Sequence, residues 1–424
     1  MEREKDYLGP DFVLDSWSRE GESREDFEKT LEAQWKATSY DVVDVSDLGI
    51  GYISDNIPGY DHRAFRGLIY RGGLRGKHYT ASLSKDYLVK MLKKTNTDRR
   101  FIADIRTNKE ILEYGGATLF ASARAITDLT KLAKLQGVGF EEPCEERVIL
   151  LSRALAKAEK KVCLVVRKRA TEKVVAVRNE KFQPIPQETV QDVLDALDDE
   201  GGKEMENSWL EWHIDHKNYE GCVILPKFAE NMREMYGLEE LLPFILFRDS
   251  TIGESSFCYA TGVTIGGNRI IFNERTWSHN MKTEQAIKQI VAVAKDNLLD
   301  DITEHLEAIK GISIRVYLRS NAERDELLDY IYKEGDFEKT LGVQMWKDAK
   351  DAVAELLKNR PNRKVSGVEI LTEIYRACGT KRPPQQRAMA TVPKSFGKWL
   401  NKNGVLPQMN FAVFKPQKQL DAVG

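Results

Sequence analysis

The sequence predicts an α+β fold in three parts: a mixed N-terminal region, a β-rich central domain with a long helix, and a small basic C-terminal domain. Three observations predict it. The stretch Pro243–His279 (PFILFRDSTIGESSFCYATGVTIGGNRIIFNERTWSH) holds apolar and β-branched runs divided by glycine turns, the pattern of strands and hairpins. Lys282–Ile309 then carries apolar residues at 286, 287, 290, 291, 294, 298, 302, 306 and 309, the spacing of one long amphipathic helix. Charge is also segregated: Leu356–Lys418 has thirteen Lys or Arg against two acids, a net of +11, in a chain whose total is −2.

Taken in order, residues 1–23 are polar and read as a flexible arm. A region from 24 to 160 follows. It opens with a helix at Arg24–Ala37, on which Phe27, Leu31 and Trp35 recur at steps of four. Residues 41–60 read as strands and turns, Ser84–Lys94 as a short helix, Arg100–Arg106 as a strand, and 117–136 and 145–160 as helices. The central domain, 161–340, begins with two strands around Ala170–Glu172 and a helix at Gln187–Leu197. A hairpin around Asn218, a helix over Phe228–Leu241 and the strands of Pro243–His279 come next. Beyond the long helix lie a strand at Ser313–Leu318 and a helix at Ala322–Tyr332. The basic domain spans 341–424.

Composition narrows the function classes. With 424 residues the chain has room for two or three domains and a sizeable core. The first ten residues are charged and have no apolar stretch, so no secretory signal is expected, and runs such as LLPFILF are too short to span a bilayer. Five scattered cysteines without a CxxC pair fit free thiols in a reducing cytosol, which gives a cytoplasmic expectation. A basic end on an acidic body points to a localised anionic partner.

Two segments carry that reading. HRAFRGLIYRGGLRGKHYT, residues 62–80, has Arg63, Arg66, Arg71, Arg75 and Lys77 interleaved with Phe65, Tyr70 and Tyr79, and no acid. Cations neutralise phosphates and aromatic faces stack on bases; the alternative is a plain hairpin turning at Gly72–Gly73. No GK[ST] follows and the spacing is wrong for GxGxxG, so no nucleotide cofactor is expected. The second segment is C-terminal. Ser366–Ala377 reads as a Ser-capped helix, preceded by Arg363 and Lys364 and followed by the linker with Lys381, Arg382 and Arg387. In VPKSFGKWLNKNG, residues 392–404, Lys394, Lys398 and Lys402 recur at steps of four and share one helix face. A row of that kind suits a phosphate backbone.

Other chemistry is thinly represented. Asp215-His216-Lys217 at a strand end matches the D-x-K half of a PD-(D/E)xK nuclease, with Asp195, Asp198 or Asp199 as the upstream carboxylate; such sites hold Mg²⁺ on carboxylates. The bland alternative is a set of solvated acids. His213 and His216 near Cys222 would bind zinc only if a loop turned both the same way. Ser255–Ser256 lacks the G-x-S-x-G elbow, and Asp104 reads as a strand-end carboxylate.

Two resemblances add to this. VVRKRATEKVVAVRNEKFQPIPQETVQDVLDAL and FRDSTIGESSFCYATGVTIGGNRIIFNERTWSHN, with the long helix after them, resemble the phage/plasmid-like protein family over residues 161 to 310. Its "NS-x-DG" region corresponds to Arg248–Gly253, and its strand-end and His-Thr helix start to Ile271–Asn273 and Trp277–His279; Phe272 stands near the place of the family's cysteine. The C-terminal order of helix, turn, basic helix and short hairpin resembles a winged helix-turn-helix, as in the tails of phage and viral primase-helicases. Together they imply a mobile-element origin in a bacterial host and no catalytic residues. The expected function is a nucleic-acid-binding protein, not an enzyme, acting in replication, recombination or transcription. Single-stranded DNA binding or annealing is its most concrete form. The metal-dependent nuclease and a factor that binds and redirects a host protein stand as alternatives; a second copy of the chain is a further possible partner.

Overall fold

Among the described residues the strands form two large sheets and one two-stranded pair. This computed structural model describes residues 6–9, 12–13, 16–53, 67–72, 78–83, 110–114, 117–135, 150–151, 153–155, 157–169, 172–230, 234, 241–265, 267–279, 283–312, 315–318, 320–334, 342–358 and 364–378. Helices and predominantly antiparallel sheets together make it an α+β protein.

The six-stranded sheet runs β1 (Ser18–Gly21), β10 (Trp209–Asp215), β11 (Asn218–Ile224), β12 (Leu242–Ser250), β13 (Phe257–Ile265) and β14 (Asn268–Trp277), all antiparallel. Strand β12 is a continuous apolar run because both of its faces are buried. Ile245 and Phe247 enter the main core, while Phe244 and Leu246 pack with Cys222, Ile224, Ala260 and Ile271 on the other side. A bulge between Thr261 and Gly262 bends β13. A β-carbon on Gly262 would sit 2.1 Å from the Ile270 carbonyl oxygen, so only glycine permits that approach.

The eight-stranded sheet runs β2 (Thr38–Asp44), β8 (Lys161–Lys168), β9 (Glu172–Asn179), β7 (Ala117–Ala121), β6 (Glu110–Tyr114), β3 (Gly49–Ile53), β4 (Gly67–Gly72) and β5 (His78–Leu83). Only the β7–β9 pair is parallel. Strands β8 and β9, which open the expected central domain, therefore share a sheet with strands of the N-terminal region. Expected as helix throughout, 117–136 instead supplies β7 and then helix α2 (Ala123–Leu132). Ser122 sets the switch: its hydroxyl accepts the Ala125 N–H at 3.0 Å and donates to the Val175 carbonyl at 2.7 Å.

Helix α1 (Arg24–Lys36) is capped by Ser23 and buries Phe27 and Leu31. The segment before it differs from the flexible arm of the sequence reading. Leu8, Phe12, Val13 and Trp17 are buried in the main core, and β1 adds an edge to the six-stranded sheet. Helices α3 (Gln187–Gly201), α4 (Thr283–Asp296) and α5 (Leu298–Ile312) contribute to the same core. The last two were expected as one helix. They part at Asn297, whose side-chain oxygen accepts from Arg275 at 2.9 Å while the apolar period continues past it. Helices α6 (Asn321–Glu334), α7 (Gly342–Lys358) and α8 (Gly367–Cys378) complete the described chain, with β15 (Arg315–Tyr317) pairing β16 (Lys364–Ser366). Ser366 and Glu369 form a reciprocal cap at the start of α8, through bonds of 3.2 and 2.8 Å. Among the described residues no helix is long and apolar enough to cross a membrane. The expected elements at Ser84–Lys94 and Arg100–Arg106 lie outside the described residues, as does most of Phe228–Leu241.

Candidate functional site at the junction of the two sheets

Most of the predicted nucleic-acid contacts fall outside the described residues: Arg66, Arg75, Arg363, Lys381, Arg382, Arg387, Lys394, Lys398 and Lys402. Tyr70 and Arg71 lie on β4, next to the edge strand β5. The register sets Tyr70 between Ile50 and Thr80, and Arg71 between Gly49 and Tyr79. Lys364 opens β16, opposite Tyr317.

The residues of the nuclease alternative have separate partners. One Asp215 carboxylate oxygen accepts the backbone N–H groups of Lys217 and Asn218, both at 2.6 Å, which closes the β10–β11 turn. Asp195 and Asp198 both pair with Arg24 on α1. The Lys217 ammonium lies 3.7 Å from Glu254. His213 is registered between Glu20 and Glu220, and burial pushes the Cys222 thiol up to about 12. Among the described residues no three His, Cys, Asp or Glu come together as a metal site requires. Asp104 lies outside the described residues, and Ser255 and Ser256 stand in the link between β12 and β13.

What the structure does assemble is a polar cluster at the end of β12, in the stretch Arg248–Gly253. This turn is held from three directions. From β2, the Tyr40 hydroxyl donates to the Thr251 carbonyl at 3.1 Å. From β8, the buried Arg167 guanidinium donates to the Thr251 hydroxyl at 3.2 Å. From β9, Arg178 donates through Nε to the Ile252 carbonyl, and its Nη1 reaches Asp128 of α2 at 3.1 Å. Ile252 packs against Cys163, Val165, Val175, Ala176 and Phe182 of the eight-stranded side. Gly253 closes the turn at φ +72, a backbone setting that side chains disfavour. Glu254 then takes Arg124 at 3.1 Å and Lys217 at 3.7 Å.

Behind the turn lies a buried acid–base pair. The Asp249 carboxylate is 2.7 Å from His279 Nε2, with both side chains almost wholly enclosed. Asp249 comes from the end of β12 and His279 from the exit of β14. The Phe182 ring lies tilted at 5.3 Å from the imidazole, and the Gln183 N–H binds the His279 carbonyl at 3.2 Å. Burial holds the Tyr219 phenol well above its ordinary range, and the charge of Asp249 adds to that. Burial likewise raises Tyr40, against the opposing pull of Arg167.

Family models, curated proteins and solved structures give no match to this chain.

The chemistry therefore has to be read from the cluster itself. A His–Asp pair can activate a hydroxyl, yet the nearby hydroxyls are engaged. Ser250 donates to the Lys217 carbonyl at 3.0 Å and accepts the Glu254 N–H at 2.9 Å. Thr251 lies 3.3 Å from the same Lys217 carbonyl and takes the Arg167 donor. The cluster acts as a clasp that fixes one sheet against the other. Sequence reading singled out Arg248–Gly253 and Trp277–His279 for their resemblance, but it missed that they meet. It also missed Arg167, whose partner Thr251 lies 84 residues away. The one available signal was an uninterrupted apolar strand, VCLVV, ending in a cation.

Proposed function

We propose that this chain is a nucleic-acid-binding protein of phage or mobile-element origin, acting in replication, recombination or transcription, with DNA as its partner. The observation that carries the reading is the charge segregation: +11 within Leu356–Lys418 leaves −13 for the remainder of the chain. An acidic body repels nucleic acid, so a basic segment of this density directs contact to one end. Lys394, Lys398 and Lys402, spaced for one helix face, supply phosphate contacts, with Lys381, Arg382 and Arg387 before them. Tyr70, Arg71 and their neighbours supply a second contact, in which aromatic faces and cations favour single strands.

Fluorescence anisotropy with labelled single-stranded DNA, duplex DNA and RNA over a salt series tests this. Binding should weaken steeply with salt, and charge reversal at Lys394, Lys398 and Lys402 should flatten the slope by about three. Absence of binding at low salt to all three ligands overturns the reading. Full affinity in the triple charge-reversal variant removes that surface from it.

A further inference from the structure

Strand β2 is an outer edge of the eight-stranded sheet, and all of its residues from Thr38 to Asp44 are described. Among the described residues it pairs with β8 alone, in a register without a shift. Two bonds beyond its ends set the phase of that ladder. The Lys168 N–H binds the Ala37 carbonyl at 2.7 Å, and the Val45 N–H binds the Lys160 carbonyl at 2.9 Å. Antiparallel pairs alternate between hydrogen-bonded and non-hydrogen-bonded, so Ser39, Asp41 and Val43 give their backbone groups to β8. Thr38, Tyr40, Val42 and Asp44 turn theirs outward, where no strand of the described residues meets them.

An outward row of that kind is a template for another strand, and proteins blunt it with short edges, Lys, Pro or bulges. The edges of the six-stranded sheet are blunted in this way. β1 has four residues and carries Arg19, and β14 carries Arg269 and Arg275. β2 has seven residues, TSYDVVD, with no Lys, Arg or Pro. It also bears Val42, which at 56% exposure is the one exposed large apolar side chain among the described residues. The strand is ordered behind its edge by β8 and by the Tyr40 hydroxyl on Thr251, so an added strand finds it already in place.

The row itself decides what fits. A second copy related by a twofold axis presents the same row running the other way. Outward residues must pair with outward residues, which leaves four centres within the strand. Centred on Asp41, the pairing sets that carboxylate against its own copy, and like charges directly opposite repel. Centred on Tyr40, it sets Val42 against Thr38 and leaves Asp44 out. Centred on Val43, it engages only Val42 and Asp44 of the outward row. Centred on Val42, it engages Tyr40, Val42 and Asp44 together. Tyr40 of one copy then faces Asp44 of the other, Asp41 faces Val43, and the two exposed valines cover each other.

We infer that two copies of this chain associate through β2, antiparallel about Val42, and join their eight-stranded sheets into one continuous sheet. The inference is independent of the nucleic-acid reading and uses neither basic segment. A single strand pair buries little area, so the dimer is weak and forms with rising concentration.

The test is sedimentation equilibrium of the full chain from about 1 µM to about 100 µM. Wild type should shift from monomer to dimer over that range. Val42→Lys sets two like charges together at the axis and should weaken association about tenfold or more. Val42→Pro removes an outward N–H without touching the β8 ladder, and should do the same in a protein whose circular dichroism is unchanged. Val42→Ile should keep the dimer. Hydrogen exchange checks the register. The amides of Tyr40, Val42 and Asp44 should slow as concentration rises, while those of Asp41 and Val43 are slow throughout. A wild type that stays monomeric at about 100 µM overturns the inference. So does a dimer that Val42→Lys leaves as tight as before, or one that forms with no slowing at Tyr40, Val42 and Asp44. Should Val42→Pro fail to fold, the contrast between Val42→Lys and Val42→Ile decides.

Discussion

The two sheets are built from the chain in different ways. In the six-stranded sheet, β10 to β14 follow one another in sequence and in space, so most of its pairings are between consecutive strands, with β1 added at the edge from far away in the chain. In the eight-stranded sheet, β2 pairs with β8, and β9 with β7, across long sequence separations. Core follows the same division. The six-stranded sheet shares its core with helices as far along as α8, whereas the described core against the helical side of the eight-stranded sheet draws on residues from Val45 to Val177 alone. Long-range pairing costs loop entropy before it yields contacts. The eight-stranded sheet is therefore expected to be the weaker partner, and the clasp at Arg248–Gly253 is one tie between its stability and that of its neighbour.

Breaking the clasp is the strongest test of that comparison. Asp249→Ala leaves His279 enclosed without the carboxylate that lies 2.7 Å from it, behind the turn that Tyr40, Arg167 and Arg178 hold, and loss of one member of a buried pair costs about 3–5 kcal/mol. Urea unfolding should show that loss and should separate into two steps. Cys163 on β8 should become reactive to a thiol reagent at lower urea than Cys222 or Cys258 in the other sheet; all three are buried and free in the folded protein. Simultaneous exposure of the three thiols, with a loss under about 1 kcal/mol, would show that the two sheets are held together elsewhere.

A second test uses pH and acts within the six-stranded half. His305 of α5 is buried against Thr261, at 2.7 Å, and burial pushes its pKa down to about 3. The unfolded chain takes up that proton near 6.5. Between those values the unfolded state binds more protons, so this contribution is fully present above pH 6.5 and is lost as pH falls toward 3, at about 1.4 kcal/mol per unit. Asp301, one turn earlier, works against it. Burial raises its carboxyl to about 6, despite Arg275 beside it, so its folded form takes up a proton first and gains stability as pH falls from 6 toward 3.8. Comparing His305→Gln with wild type cancels Asp301 and isolates the histidine. The stability gap between the two proteins should shift in favour of the variant by about 1.4 kcal/mol for each unit below pH 6.5. A gap that stays constant from pH 7 to 4.5 would mean that His305 takes up its proton as readily in the folded protein as in the unfolded chain.

The same division explains what could be read in advance. Hairpins β8–β9, β10–β11 and β13–β14 were legible because each is local and marked by its own turn, at Ala170–Glu172, near Asn218 and at Gly266–Gly267. Strand β7 was not, because Ala117–Ala121 has helix-forming neighbours and becomes a strand only by pairing with β9 and β6. Burial of Leu8, Phe12 and Trp17 was hidden by the polar residues around them. The clasp could not be composed from sequence either. Its members come from β2, β8, β9, β12 and the exit of β14, and no spacing rule relates residues that only the topology brings together. Side-chain type alone pointed instead to the basic rows, because a charge pattern can be read from the local chain.

The smallest expected effect sharpens the comparison by holding the chemistry constant and changing only burial. Arg24 on α1 pairs with Asp195 and Asp198 of α3, an ionic contact within one half of the molecule. Its side chain is 34% exposed, and those of the two acids are 65% and 54% exposed. Water screens such pairs, and immobilising long side chains offsets much of the gain, so exposed pairs contribute about 0.2–1 kcal/mol. Arg24→Ala should fall in that range, several-fold below Asp249→Ala, and the loss should shrink in 1 M salt, where the screening length is about 3 Å. A double-mutant cycle with Asp195→Ala separates the pair from the packing of the Arg24 stem. An interaction term above about 2 kcal/mol, unmoved by salt, would mean that the surface pair holds the helices as firmly as the buried clasp holds the sheets.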